Sequence, residues 1–165
     1  MTRQGPDPDA YVIHAFLATF DGGQSMRDLG ALPNYPDTYA TAIAEDGTVV
    51  GYSGTHSAAK WTVVSGPSHA WMWYRGRMTD LGGSSTEDSF AYGVNDRGVV
   101  VGCAGPDAVR WVGKHMQRLD DLIDPNSGWH LECARAINRD GIIVGTGSYL
   151  GKHVPFRLLP LPAGR

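Results

Sequence analysis

Short alternations of apolar and polar residues, rather than long stripes, run the length of this chain. "ATAIAEDGTVVG" at 40–51, "AYGVNDRGVVVG" at 91–102 and "ARAINRDGIIVG" at 134–145 repeat one frame. In each, Ile43, Val94 or Ile137 precedes a polar segment, and Val49–Val50, Val99–Val101 or Ile142–Val144 follows it. Two β-rich runs joined by a short Asn/Asp/Gly segment predict a hairpin. Gly47, Gly98 and Gly141 supply the positive φ of its turn, while Asp46, Asn95 and Asn138 bond the local backbone. The closing Gly51, Gly102 and Gly145 are expected to end the second strand and to permit a close approach there.

Two further phrases alternate with the hairpin. Met26, Met78 and Met116 stand three residues before Leu29, Leu81 and Leu119, which marks a short strand with two apolar anchors. An aromatic strand precedes each: "HAFL" at 14–17, "HAWMW" at 69–73 and "AVRW" at 108–111, with "VPFRLL" at 154–159 last. The unit therefore reads aromatic, Met-x-x-Leu, Ala-x-x-Ile/Val, Val-Val-Gly. Four antiparallel strands in about 45 residues describe one propeller blade. A helical repeat needs apolar stripes of period 3.6, which this chain lacks. The first interval is longer and holds "HSAAKWTVVSGPS" at 56–68. The aromatic strand there is expected at 69–74 rather than 58–64, because "HAW" matches "HAF" and "YRGRMTDLG" follows directly.

The expected fold is all-β: a β-propeller-like array of four-stranded antiparallel blades, about three to four per chain. One domain would span 11–160, between a disordered segment 1–10 and a tail 161–165. Closed propellers use about four to eight blades, and three units with one surplus aromatic strand fall short. An open array leaves sheet edges that invite pairing. The expectation is a homodimer, with the surplus strand at either terminus pairing across the junction.

Composition narrows the classes. The chain has 165 residues, enough for one core, and its Gly 22 suits many tight turns. The net charge of −3 comes without a basic run, so nucleic acid and anionic membrane have no electrostatic footprint. No apolar run is long enough to span a bilayer. The polar start "MTRQGPDPDA" lacks the apolar segment of a signal peptide, which reads as cytoplasmic for the chain as it stands. Cys103 and Cys133 allow one disulfide in an oxidising compartment, yet two separate buried thiols are the simpler expectation.

Taken together, His14-Ala15-Phe16, His69-Ala70-Trp71, the Asp-Leu-Gly after Met and the repeated hairpin resemble the bacterial HAF-repeat proteins. The ending "DDLIDPNSGWHLECARAINRDGIIVGTGSYLGKHVPFRLLP" resembles that family's closing repeat, and the resemblance covers roughly 11–160. It implies a propeller-like array, often in exported proteins, with no generally established activity. Departures occur at Ala44, at Arg118 in place of Asp, and at "VPF" in place of the last His-Ala-Phe. A site needing the repeated polar residues would be incomplete in some blades, so the motif is read as structural.

Candidate chemistry is sparse. His14, His56, His69, His115, His130 and His153 show no helical zinc spacing, and no metal or cofactor is expected. Asp46, Asp96 and Asp140 are turn residues, and Asp120, Asp121 and Asp124 are read as loop or capping groups. Ser84, Ser85 and Ser89 lie with Glu87 and Asp88 in a connecting loop, without the Gly-x-Ser-x-Gly elbow of a nucleophile. The unrepeated "SGWHLE" at 127–132 is the place to look for chain-specific chemistry. Trp129 is read as packing, while His130 and Glu132 alternate around Leu131 and are expected to face one side of a strand.

Two functions follow. The leading one is a non-enzymatic binding or scaffold module for a carbohydrate, small molecule or protein. Surface aromatics expected to serve it are Tyr35, Trp73, Tyr74, Tyr92 and Tyr149, with Trp129, His130 and Glu132. The alternative is a small-molecule hydrolase, lyase or isomerase near the ring axis, using His130 and Glu132 with Asp88, Asp121 or Asp124 in support.

Overall fold

The computed structural model describes residues 12–19, 25–55, 67–82 and 87–161. Most of the insertion at 56–68, with His56, lies outside the described residues, as do Ser84, Ser85, the segment 1–10 and most of the tail. The described chain forms four antiparallel sheets with each strand beside its sequence neighbour. Sheet I pairs β1 (Phe16–Ala18) with β2 (Met26–Asp28). Sheet II runs β3 (Asp37–Ile43), β4 (Val49–Gly54), β5 (His69–Tyr74) and β6 (Arg77–Asp80). Sheet III runs β7 (Ser89–Val94), β8 (Val99–Ala104), β9 (Asp107–Val112) and β10 (His115–Arg118). Sheet IV has β11 (Trp129–Ile137), β12 (Ile143–Tyr149) and β13 (Lys152–Leu158), after a 3₁₀ turn at Asp120–Leu122.

The aromatic strand at 69–74 stands where the "HAW" match puts it. The phase of the unit differs from the sequence reading. A full sheet opens on the Ala-x-x-Ile/Val strand and closes on the Met strand. Sheet I thus holds only an outer pair, and sheet IV lacks a Met strand among the described residues.

The closing glycines also need correction, because they sit inside strands. Gly51, Gly102 and Gly145 face Ala40, Ala91 and Ala134 across the hairpin, and each pairing is followed by a register shift. The extra residue there is Thr41, Tyr92 or Arg135, a β-bulge that bends the strand. A Cβ on Gly102 would overlap the carbonyl oxygen of Phe90, and the other two meet Tyr39 and Cys133 in the same way. The repeated frame is therefore a bulged hairpin, with glycine demanded by backbone contact. Turn glycines Gly47, Gly98 and Gly141 take the expected positive φ of 82°, 71° and 85°. Asn95 Oδ1 accepts from Arg97 and Val99, and Asn138 Oδ1 accepts from Ile142. Where Ala44 replaces the asparagine, Asp46 accepts from Thr48 N at 2.9 Å instead.

Consecutive valines point to opposite faces, so each second strand joins two cores. Val49 packs toward sheet I with Leu29, Trp71 and Trp73, whereas Val50 packs toward sheet III with Val94, Val100 and Trp111. Val101 then meets Leu131, Ile143 and Phe156 of sheet IV. Val144 continues the series, but no described sheet follows and it is 40% exposed, against 0% for Val50 and Val101.

Polar clasps join the sheets at one end. Thr38 N donates to Ile13 O and its Oγ1 accepts from Ala15 N, while Asp37 Oδ1 accepts from Ile13 N. Ser89 and Asp88 make the same contacts to Ser68 and Ala70. At the third junction a further bulge makes Glu132 the extra residue, so His130 and Leu131 occupy those places, and a disulfide between Cys103 and Cys133 ties β8 to β11. The expectation of two separate thiols is thus corrected: the bulged inner strand carries Cys133 to the face of sheet III.

Candidate functional site

The "SGWHLE" segment opens β11. Gly128 turns into the strand with φ 77°, and Leu150 N donates to its carbonyl. Trp129 is half-buried against the third core and meets Tyr149 with ring centroids 5.1 Å apart, which is a packing role. His130 Nδ1 lies 2.9 Å from Asp120 Oδ2, and Asp120 Oδ1 accepts from Leu131 N at 2.8 Å. Glu132 Oε2 instead lies 3.3 Å from Nδ1 of His153 on β13. A register shift between Leu131 and Cys133 breaks the alternation that was to hold the two side chains on one side. The structure therefore joins His130 to Asp120 and Glu132 to His153, rather than to each other. Asp121 is exposed on the 3₁₀ turn, and Asp124 caps its own loop by accepting from Asn126 N.

The repeat creates a separate row of pairs, which His130 and Asp120 adjoin through Arg118. His14 Nδ1 lies 2.7 Å from Asp28 Oδ2 in sheet I, and His69 Nδ1 lies 3.1 Å from Asp80 Oδ2 in sheet II. The His-Ala-Phe and Asp-Leu-Gly phrases are thus two halves of one latch. Its bond to His14 holds the Asp28 carboxyl below its ordinary value of 3.8. Tyr35 adds to the second latch, its hydroxyl 3.0 Å from His69 Nε2. Sheet III inverts the charges: Asp107 takes the histidine place, Arg118 takes the aspartate place, and they pair at 3.0 Å. Arg118 Nη2 is also 3.7 Å from Asp120 Oδ2. Asp107, Asp120 and His130 bring a potential ligand atom each within 4.8 Å of one another. The Arg118 guanidinium bridges the two carboxylates and already serves as the cation there.

The other feature is aromatic. Tyr39 and Tyr52 stack at 5.1 Å, Tyr52 meets Phe90 edge-on at 5.1 Å, and Phe90 stacks on Tyr92 at 6.1 Å. The Arg135 guanidinium lies over Tyr92 at 4.7 Å. All four rings are half-buried and Arg135 is exposed, so one column runs over β3, β4 and β7 to Arg135 on β11. Burial pushes the Tyr52 phenol up from 10.0, with the nearby Tyr92 adding to the shift. Of the aromatics expected at the surface, Tyr92 belongs to this column and Tyr149 and Tyr74 are exposed. Trp73 is corrected to a core position, 6% exposed with Arg27 over its ring.

Three grooves of about 380, 290 and 280 Å³ are lined mainly by apolar side chains, and neither His130 nor Glu132 lines any of them. The sequence reading took Asp120 for a loop or capping group and did not find the charge-inverted latch. Aligning His69–Asp80 with Asp107–Arg118 contains the signal, since both members of the pair change together. No family model, no curated protein and no solved structure matches this chain.

Proposed function

We propose that this chain is a non-enzymatic binding or scaffold module on a propeller-like array of the HAF-repeat kind. The observation that carries this reading is the half-exposed column Tyr39–Tyr52–Phe90–Tyr92 capped by Arg135. Such a rigid aromatic surface with phenol hydroxyls suits contact with a sugar, a small molecule or a protein segment. His130 and Glu132, in contrast, engage separate partners away from the three grooves, which is poor placement for shared acid–base work. The second reading, a small-molecule enzyme, draws support from the His130–Asp120 hydrogen bond, with Asp120 taking the part first given to Asp121.

A panel of oligosaccharides and small metabolites, screened against the full chain by ligand-observed NMR, separates the two. Binding that falls in Tyr92→Ala and Arg135→Ala but persists in His130→Ala and Glu132→Gln is the expected result. Turnover of a panel member that His130→Ala or Glu132→Gln abolishes would overturn it.

The same reading closes the array with a second copy. In sheets II and III the forward-facing Val50 and Val101 are covered by the next sheet, and Val144 is the equivalent position in sheet IV. At the other end, Ile43 is 60% exposed where its equivalent Val94 is 8% exposed. Beside it a groove lined by Phe16, Leu29, Thr41, Ile43 and Val49 marks the place that inner strands fill in the other sheets. A partner's forward face is the complement of this groove by repeat register. One of the two aromatic strands, β1 or β13, is then surplus at each junction.

A further inference from the structure

One strand position is filled differently at two successive junctions. In sheet II, Met72 lies opposite Thr79 and packs against the core shared with sheet III. In sheet III the equivalent pair is Arg110 opposite Gln117. Arg110 Nε and Nη2 both donate to Gln117 Oε1, at 3.0 and 2.8 Å. The guanidinium is thereby aimed by a neutral amide that leaves its charge uncompensated. Among the described residues Arg110 has no carboxylate partner: Asp107 and Asp120 pair with Arg118 and His130, and Asp121, Asp124 and Asp140, next in sequence to groove residues, make no ion pair with it.

Half-buried Arg110 forms part of the wall of the groove of about 380 Å³, whose other walls include Leu122, Ile123, Ile143, Leu158 and Leu161. That volume falls within the roughly 300–1,000 Å³ of small-molecule sites, which are mostly apolar with a few placed polar groups. A charge held in an apolar wall without a counter-ion is costly unless a ligand supplies one. The fork keeps Nη1 and one Nη2 hydrogen for a carboxylate, a geometry that favours two parallel bonds. Leu122, Leu159 and Leu161, 43%, 58% and 92% exposed, form a rim that an apolar ligand body would cover.

We propose that this groove binds a small free carboxylate with an apolar body, the carboxylate on Arg110 and the body along Ile123, Ile143 and Leu158. The site rests on the reading of the chain as a binding module and names a ligand class for it. Octanoate, titrated into the full chain by calorimetry and amide-resolved NMR, is the probe, with octanol as its neutral counterpart. The variant Arg110→Met installs the residue that sheet II carries at this position, so it tests the charge without emptying the site. Octanoate is expected to shift Ile123 and Leu158 resonances and to bind Arg110→Met about 10- to 100-fold more weakly. Octanol should bind both proteins weakly and alike. A second variant, Ile123→Glu, should abolish octanoate binding by placing an acid in the groove. Equal octanoate affinity for wild type and Arg110→Met, or octanoate no tighter than octanol, would overturn the site. Should octanoate fail while a panel ligand still perturbs Tyr92, this site falls and the module reading stands. Should nothing bind at either place, both fall.

Discussion

Cleaving the Cys103–Cys133 bond opens a loop whose ends are 30 residues apart in sequence. In the chain-entropy account that closure removes about 12 cal/mol/K from the unfolded ensemble, or about 3.6 kcal/mol at 25 °C. At the preceding junction the equivalent positions are Tyr52 and Phe90, whose edge-to-face contact contributes about 0.5–1.5 kcal/mol beyond area burial. Among the described residues the third junction has no Thr38- or Ser89-type clasp, and the disulfide adds a covalent tie there to the shared apolar core and the Leu131 N–Asp120 hydrogen bond. Two reduced thiols would still pack, which leaves an expected loss of about 3 kcal/mol. With a urea m-value of about 2 kcal/mol/M, the unfolding midpoint should fall by about 1.5 M. The assay is urea unfolding followed by tryptophan fluorescence, with and without reductant, alongside the double variant Cys103→Ala, Cys133→Ala. Alkylation in denaturant without reductant should label neither cysteine. Midpoints agreeing within about 0.3 M, or labelling of both thiols before reduction, would refute the reasoning.

Two other predictions concern the repeat. Gly102→Ala should cost about 3 kcal/mol or more, because its Cβ overlaps the Phe90 carbonyl. Gly98→Ala, with φ 71° and open space, should cost about 1–2 kcal/mol; urea midpoints of the two variants check the order, and equal costs would contradict the bulge. For the latch, the Asp28 carboxyl should titrate below 3.8 by NMR, and His14→Ala should move its midpoint up. A carboxyl depressed in the folded state contributes stability above the unfolded value that is lost as pH falls through the folded one. The His14–Asp28 contribution should therefore be complete above about pH 4 and vanish in acid.

Period-2 alternation and turn glycines made the hairpins legible, and the "HAW" match placed the aromatic strand at 69–74, while 58–64 lies outside the described residues. The phase of the sheet was not legible, because strand order along the chain does not say which connection crosses between sheets. The glycines after Val-Val were misread because a bulge is a property of two paired strands, and one strand's pattern does not display it. The latch hid in plain repetition: His14 and Asp28 lie 14 residues apart and meet only across a hairpin. Arg110 shares its frame position with Met72, which is only packed against a core, and its fork to Gln117 forms across a strand pair that one strand's pattern does not display. The partner of His130 was not legible, because it depends on a short 3₁₀ turn that presents Asp120, and not Asp121, to His130 Nδ1.

The proposed closure by a second copy is the claim on which the architecture turns. Light scattering of the full chain at micromolar concentration tests it directly, with Val144→Asp as the matched variant. Twice the chain mass of 17.8 kDa for wild type, falling to a single chain in Val144→Asp, is the predicted result. A monomer mass for the wild-type chain would contradict it.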